Sequence, residues 1–224
     1  MGKRLENAAK EVDKEKAYPV AEAVALAKKT ATTKFVGNIE VHARLGIDAK
    51  KSDQMVRTTV TLPHGTGKVK RIAAFVSAGK EKEALDAGAT VVGGEDLIKK
   101  LKETEQLNFD IAIAEPSMMA KLAQIAKLLG PRGLMPNPKS GTVSADIAKT
   151  VKEFSSGKEE FKNDESGNVH MILGKSNFSE DQILANFNSF LEALNSSKPT
   201  GLKKEYIQSV TMNATMGPGI KIKI

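Results

Sequence analysis

Cysteine and tryptophan are absent from this chain of 224 residues, and aromatic residues make up only 4% of it. Without cysteine there are no disulfides and no thiolate metal sites, which excludes the small secreted scaffolds that depend on them. Proteins that bind single-stranded nucleic acid stack bases on aromatic side chains, and two tyrosines and eight phenylalanines offer few such surfaces. If the partner is a nucleic acid, we therefore expect folded RNA that is recognised by its shape.

Long apolar runs are also absent, and none of the sequence approaches the roughly 20 apolar residues that span a bilayer. The N-terminal segment MGKRLENAAKEVDKEK is charged throughout and has no apolar core of the kind that a signal peptide requires. We therefore expect a soluble and unprocessed protein that has no membrane partner. We also expect it to lie in the cytoplasm and to be a monomer when free.

Positive charge is in excess, with 34 Lys and Arg against 27 Asp and Glu, a formal net charge of +7 and a pI near 9.4. Such a balance favours a polyanionic partner. The excess is greatest near the N-terminus, because residues 1–65 contain 12 basic and 8 acidic residues whereas residues 158–224 contain 8 of each. The first third of the chain is thus the most electropositive part.

Two styles of secondary structure follow one another along the chain. Near both ends, the patterns predict amphipathic helices and half-exposed strands of an antiparallel sheet. The helices are expected over residues 18–29 and 179–195, and the strands over residues 39–47, 55–62, 169–173 and the C-terminal stretch. Ser179 and Gln182 also have the spacing of a helix capping box.

A different style begins after LPHGTGK, residues 62–68, where short apolar strands alternate with helices. The strands are predicted at residues 71–76, 90–92 and 110–114, and the helices at residues 80–87, 96–102 and 117–129. Such alternation predicts parallel strands covered by helices. Because neither flank looks complete alone, we predict that residues 1–65 and 158–224 fold together as a discontinuous α+β domain, into which residues 66–157 are inserted as an α/β domain.

Motifs for catalysis are missing. The segment GTGK, residues 65–68, resembles the end of a phosphate-binding loop, but Leu62 stands where the first glycine belongs and Val69 where Ser or Thr belongs. No GxGxxG follows a strand, and no zinc or nucleophile motif surrounds the three histidines, His42, His64 and His170. We therefore expect no catalytic residue, no metal and no cofactor, and we predict that the chain is not an enzyme.

The segment GPRGLMPNPKSGTV, residues 130–143, contains three prolines, three glycines and two cations. Its restricted backbone angles predict an ordered loop. The loop is either a helix stop with a long connection or a contact surface, and residue chemistry alone leaves both interpretations open.

The C-terminal stretch SVTMNATMGPGIKIKI interrupts a β-rich run with a turn at residues 215–218 that presents a hydroxyl, a thioether and bare backbone. This combination can press against the minor groove of RNA. Taken alone, a plain β-turn is the simpler interpretation. Similarly, Phe35 before the first strand is either a core residue or a contact, and Glu40 either a solvated residue or a contact.

Three motifs, KSDQMVRTTVTLPHGTGK, GPRGLMPNPKSGTV and TMGPG, resemble in order and spacing the signatures of bacterial large-subunit ribosomal protein one, and the resemblance covers essentially the whole chain. It implies a discontinuous α+β domain and an inserted Rossmann-like domain without a nucleotide. It further implies that the chain binds large-subunit ribosomal RNA in the mobile stalk beside the tRNA exit site. Assistance in releasing deacylated exit-site tRNA and translational repression of its own operon messenger RNA are also implied.

The principal RNA contacts of that family map onto seven residues of the discontinuous domain. They are Lys34, Phe35, Glu40, Ser209, Thr215, Met216 and Gly217. The carboxylate of Glu40 can accept hydrogen bonds from ribose 2′-hydroxyls or a guanine edge, which distinguishes RNA from DNA. In the loop at residues 130–143, Arg132 and Lys139 are hypothesised to make secondary contacts to phosphates of RNA or tRNA.

Two other functional classes agree less well with the sequence. A DNA-binding repressor with a ligand-sensing α/β domain needs a helix-turn-helix or a basic helix with base-reading residues, and the sequence has neither. A nucleotide-dependent transferase needs phosphate loops, which are missing as well.

Overall fold

The computed structural model describes residues 2–200, 202 and 205–223. The contacts divide the chain into two compact units. One, which we call the terminal unit, combines Met1–Gly67 with Glu159–Ile224, and the other, the inserted unit, is Lys68–Lys158. The predicted fold class is confirmed, because the chain forms an antiparallel sheet from both termini and an inserted parallel sheet with helices.

The helices and strands follow each other in this order: α1 (Lys3–Lys10), α2 (Val20–Lys29), β1 (Asn38–Leu45), β2 (Arg57–Thr61), β3 (Ile72–Phe75), α3 (Glu81–Asp86), β4 (Val91–Gly93), α4 (Glu95–Thr104), β5 (Ile111–Ala114), α5 (Met119–Leu122), α6 (Ala126–Leu129), α7 (Ile147–Ser155), β6 (Lys158–Lys162), β7 (Asn168–Lys175), α8 (Glu180–Ser196), β8 (Ile207–Ala214) and β9 (Ile220–Ile222). No helix in the described part of the chain is long and apolar enough to cross a membrane.

The main sheet of the terminal unit is antiparallel, with the strand order β7-β1-β8-β9. Along β1, residues 39, 41, 43 and 45 are buried, while the residues between them are half-buried or exposed. One face therefore carries the core and the other faces solvent. The expectation that residues 39–47 and 55–62 share this sheet is wrong, because β7 and β8 occupy both edges of β1 and β2 pairs with β6 in a separate two-stranded sheet.

Helices α2 and α8 pack on the buried face of this sheet. The predicted capping box at the start of α8 is confirmed: the Gln182 amide donates to Ser179 Oγ (3.2 Å), and the Ser179 amide donates to Gln182 Oε1 (3.0 Å). Farther along, Asn186 is fully buried. Its amide nitrogen donates to the carbonyls of Gly65 and Leu173, and its oxygen accepts from the amide of His64. One side chain thus ties α8 to the LPHGTGK segment and to β7.

In the inserted unit, the parallel strands have the order β4-β3-β5, and every residue of β3 is buried. Alternate residues of β3 belong to two different cores. Ala73 and Phe75 pack with residues of α4 and α5, whereas Ile72 and Ala74 pack with residues of α3 and α7. Helices therefore cover both faces of the sheet, as the resemblance to a Rossmann-like domain implies.

Several helices and strands differ from the sequence expectations. The single helix expected over residues 117–129 is broken into α5 and α6, because 3₁₀ turns at Pro116–Met118 and Ala123–Ile125 precede and separate them. Helices α1 and α7 were not predicted, and neither was strand β6.

Candidate nucleic-acid interface

The loop before β1 and the turn after β8 meet at one end of the main sheet. Ile39 of β1 pairs with Ala214 of β8, so the residues that precede one strand lie beside those that follow the other. Segments about 175 positions apart in the sequence are thereby joined, and six of the seven residues expected to bind RNA fall in them. We call this region the turn end of the sheet, defined by residues 33–40 and 214–218.

Thr215 links the two segments through its backbone and its hydroxyl. Its amide donates to the carbonyl of Asn38 (2.8 Å), and its Oγ1 accepts from the amide of Asn38 (2.9 Å). The hydroxyl lies 3.0 Å from Glu40 Oε1 and 3.3 Å from the carbonyl oxygen of Asn38, two acceptors for its single hydrogen. The hydroxyl therefore holds the Glu40 carboxylate in place within the protein.

Apolar side chains project from both segments. Phe35 is 55% exposed and Met216 is 63% exposed, next to the half-buried Glu40 and the exposed Lys34. The alternative interpretation of Phe35 as a core residue is therefore wrong. Exposed aromatic and thioether groups beside a carboxylate and a lysine provide both stacking and hydrogen-bonding surface.

The turn itself is tight. Met216 has a φ of 60°, which is uncommon for a residue with a side chain, and the amide of Gly217 donates to the carbonyl of Ala214 (2.7 Å). A Cβ at Gly217 would lie 3.0 Å from that carbonyl oxygen. Gly217 therefore fits here because the backbone is crowded.

Ser209 does not belong to the turn end. It is exposed on the same face of β8 as Thr215 but six residues earlier, which corresponds to about 20 Å along the strand. Its neighbour across the sheet is Arg44. If both residues contact one RNA, the RNA follows β8 along the solvent-facing side of the sheet.

The middle of this face holds a chain of hydrogen bonds that sequence reasoning missed. The Nδ1 atoms of His42 and His170 lie 2.8 Å apart, His42 Nε2 lies 2.6 Å from Asn213 Oδ1, and His170 Nε2 lies 3.4 Å from Asp164 Oδ2. Hydrogen bonds, first that from the backbone amide of Asn168, lower the pKa of Asp164 to about 2. Alternation from Glu40 already placed His42 on this face, but its partners on β7 and β8 depend on strand pairing.

Arg132 and Lys139 are both exposed in the inserted unit. The loop around them is held by its own hydrogen bonds: the side chain of Asn137 accepts from the amide of Lys139 (2.8 Å), and the Thr142 hydroxyl accepts from the amide of Asn137 (2.8 Å). The guanidinium group of Arg132 and the ammonium group of Lys139 are therefore presented to solvent from an ordered loop.

The carboxyl edge of the parallel sheet is where α/β proteins usually bind ligands. Here the side chain of Glu115 accepts from the hydroxyl (2.5 Å) and amide (3.1 Å) of Ser77 and pairs with Lys80 (3.0 Å). The Ser77 hydroxyl, followed by Lys80, lowers the pKa of Glu115 to about 2. The ammonium group of Lys80 is therefore paired with a carboxylate of the protein itself. The described residues also contain no group of three or more side chains arranged to hold a metal ion.

Comparison with known proteins extends these observations. Residues 27–218 match the model of the Ribosomal protein L1p/L10e family. "Large ribosomal subunit protein uL1" of Mesoplasma florum is 46% identical over the whole chain and 98% of its own length. The proteins of the same name from Chloroflexus aurantiacus and Thermosipho melanesiensis are each 47% identical, over 99% and 98% of this chain and 94% and 95% of theirs. The chain therefore belongs to the Ribosomal protein L1p/L10e family.

Proposed function

We propose that the chain is a structural constituent of the large ribosomal subunit that binds large-subunit ribosomal RNA in the mobile stalk beside the tRNA exit site. The observation that carries this proposal is the turn end of the sheet, where Phe35, Glu40, Thr215, Met216 and Gly217 come together from distant parts of the chain. Family membership and the net charge of +7 support the same partner.

The turn end offers what a folded RNA requires. Phe35 and Met216 supply exposed apolar surface for a ribose or base, and Gly217, which is partly exposed and has no side chain, permits close approach. Glu40, fixed by Thr215, supplies an acceptor for 2′-hydroxyls. The repulsion between this carboxylate and RNA phosphates is offset by nearby cations, because Lys34 lies in the same segment and Lys175 Nζ donates to the side chain of Asn38 (2.8 Å).

Chemical footprinting of large-subunit ribosomal RNA with the full chain tests this proposal. We expect protection confined to a helical region of the stalk and an affinity that falls steeply as salt rises, because phosphate contacts release counterions. The matching DNA duplex is the control, and it should bind much more weakly because it has no 2′-hydroxyl. Equal affinity for the duplex, or a flat response to salt, contradicts the proposal.

Two further activities belong to the proposal through the resemblance. The first is translational repression of its own operon messenger RNA, which requires that the messenger reproduces the fold of the ribosomal site and competes for the same surface. We expect the two RNAs to compete for binding, and we expect Thr215→Val to weaken the affinity for both of them by a similar factor.

The second is assistance in releasing deacylated tRNA, with Arg132 and Lys139 as secondary contacts to RNA or tRNA phosphates. Both side chains are exposed on an ordered loop, which supports this assignment. Replacing both by Gln should slow tRNA release from ribosomes while primary RNA affinity stays nearly intact. The reverse result would refute it.

A further inference from the structure

Arg4 of helix α1 connects three segments of the terminal unit. Its Nη1 donates to the hydroxyl of Thr32 (3.1 Å), in the loop before β1, and its Nη2 donates to the carbonyl of Met216 (2.8 Å), in the turn after β8. One guanidinium thus links the turn at residues 214–218 to Thr32, the residue that immediately precedes the other segment of the turn end. The planar fork of arginine suits two acceptors at once, whereas the compact ammonium of lysine does not.

The carbonyl that Arg4 holds belongs to the most constrained residue of the turn. Met216 adopts a left-handed backbone conformation without being glycine, and such conformations persist only when surrounding contacts determine them. The turn has its own hydrogen bond between Gly217 and Ala214. Arg4 adds a charge-assisted bond to the Met216 carbonyl, which restrains the peptide group between Met216 and Gly217.

The core does not explain why Arg4 is placed here. Among the residues of α1, only Ala8 is buried, and Arg4 itself is half-buried. Removal of its guanidinium therefore leaves the packed interior intact. The effect of such a change should be confined to the turn.

We propose that Arg4 is a positioning residue of the RNA site, which holds the Met216 turn in the conformation that binds RNA, and that helix α1 is thereby part of that site. This inference rests on the proposed RNA-binding function. A direct contact from Arg4 to a phosphate is a different role. Two of its five N–H groups are engaged within the protein and three remain, so the experiment has to distinguish the two roles.

The test compares Arg4→Ala, Arg4→Lys and Thr32→Val in the full chain, with Lys3→Ala as a control that removes the same charge from an exposed neighbour on α1. We expect Arg4→Ala to weaken affinity for the stalk RNA by roughly tenfold or more. Arg4→Lys should restore little of it, Thr32→Val should have a smaller effect in the same direction, and Lys3→Ala should change affinity least.

Two readouts separate positioning from the alternatives. In the free protein, hydrogen exchange of the Gly217 amide should accelerate in Arg4→Ala, while the buried amides of β1 keep their protection. The slope of log affinity against log salt should remain that of the wild type if Arg4 only positions the turn. If Arg4 contacts a phosphate directly, its loss should lower the magnitude of the slope by about one. Thermal melting checks that each variant is folded.

Two combinations of results would overturn the proposal for Arg4. Unchanged exchange at Gly217 together with unchanged affinity overturns the proposal, and so does a reduced salt slope with unchanged exchange, which makes Arg4 a phosphate contact. If Arg4→Ala fails to fold, the same comparison is made with Thr32→Val, whose unchanged exchange and affinity would overturn it equally. Failure of the wild type to bind stalk RNA overturns the proposed function instead, and the exchange measurement still shows whether Arg4 holds the turn.

Discussion

At the scale of single residues, the turn end depends on side chains that act through one another. Thr215 has a hydroxyl that the family resemblance marks as an RNA contact, yet its hydrogen lies between two acceptors of the protein, Glu40 and the carbonyl of Asn38. Under the proposed function, we therefore expect Thr215 to act on RNA largely through the position of the Glu40 carboxylate.

The first prediction concerns this pair. Thr215→Val keeps the size of the side chain but removes the bonds to Glu40 and to the amide of Asn38, and lost bonds of this kind typically cost about 1–3 kcal/mol. We expect RNA affinity to fall roughly tenfold in equilibrium binding. Thr215→Ser, which retains the hydroxyl, is the matched control and should stay near wild type. A folded Thr215→Val variant with full affinity would remove Thr215 from the site.

The second prediction concerns Glu115, whose pKa is lowered from 4.5 to about 2. Because the pKa of the folded state lies below that of the unfolded state, the carboxylate stabilises the fold at neutral pH, and this contribution disappears as pH falls from about 4.5 towards 2. Wild type should thus have a larger free energy of unfolding than Glu115→Gln at pH 7, with the difference shrinking through this window in urea titrations.

The control for Glu115→Gln is Glu83→Gln, which changes an exposed carboxylate of helix α3. It should show little difference from wild type at either pH. A difference between wild type and Glu115→Gln that stays constant from pH 7 to pH 2 would mean that the Ser77 and Lys80 bonds do not stabilise the ionised carboxyl.

At the scale of elements, the sequence predicted the helices and strands whose buried residues recur at a regular spacing. The alternation of β1 and the spacing of α8 were sufficient, because each buries one face against a single core. Strand β6, with the sequence KEEFK, buries only Phe161 and gives no period to detect. Helix α7 did carry a signal, since Asp146 caps it and Ile147, Val151 and Phe154 are buried at helical spacing.

The broken helix at residues 116–129 shows where local propensity fails. Its residues favour one continuous helix, but propensity is a weak prior that tertiary packing overrides. The buried side chains of the segment all face the same core despite the 3₁₀ turns.

The family resemblance supplied the residues of the turn end, but the link from Arg4 to Met216 depends on three segments meeting in space.

The third prediction concerns Asn186, which joins α8 to two other segments. Asn186→Ala leaves the carbonyls of Gly65 and Leu173 and the amide of His64 without this partner in a buried setting. We expect a loss of about 3 kcal/mol in the free energy of unfolding, measured by urea titration. Asn188→Ala, at an exposed position of the same helix, is the control and should cost far less. Equal effects of the two would show that the Asn186 bonds contribute nothing specific.

At the scale of the whole molecule, the terminal unit holds its own core, its own sheet and all seven residues assigned to the main RNA site. Its two halves pair throughout the main sheet, since β1 from the first half lies between β7 and β8 from the second. Neither half has a complete sheet without the other. The proposed RNA site is therefore made only of residues of this unit.

The last prediction follows from where the insertion begins and ends. The hydroxyl of Thr66 lies 3.3 Å from Glu159 Oε1, so the end of the first segment of the terminal unit is adjacent to the start of its second segment. A chain that joins residues 1–67 to residues 159–224 through a short Gly and Ser linker should fold, because closing a short loop costs little. Circular dichroism and hydrogen exchange should show the main sheet intact, and affinity for stalk RNA should stay within roughly tenfold of the full chain, about 1.4 kcal/mol. A folded product that has lost nearly all affinity would place the main site outside the terminal unit.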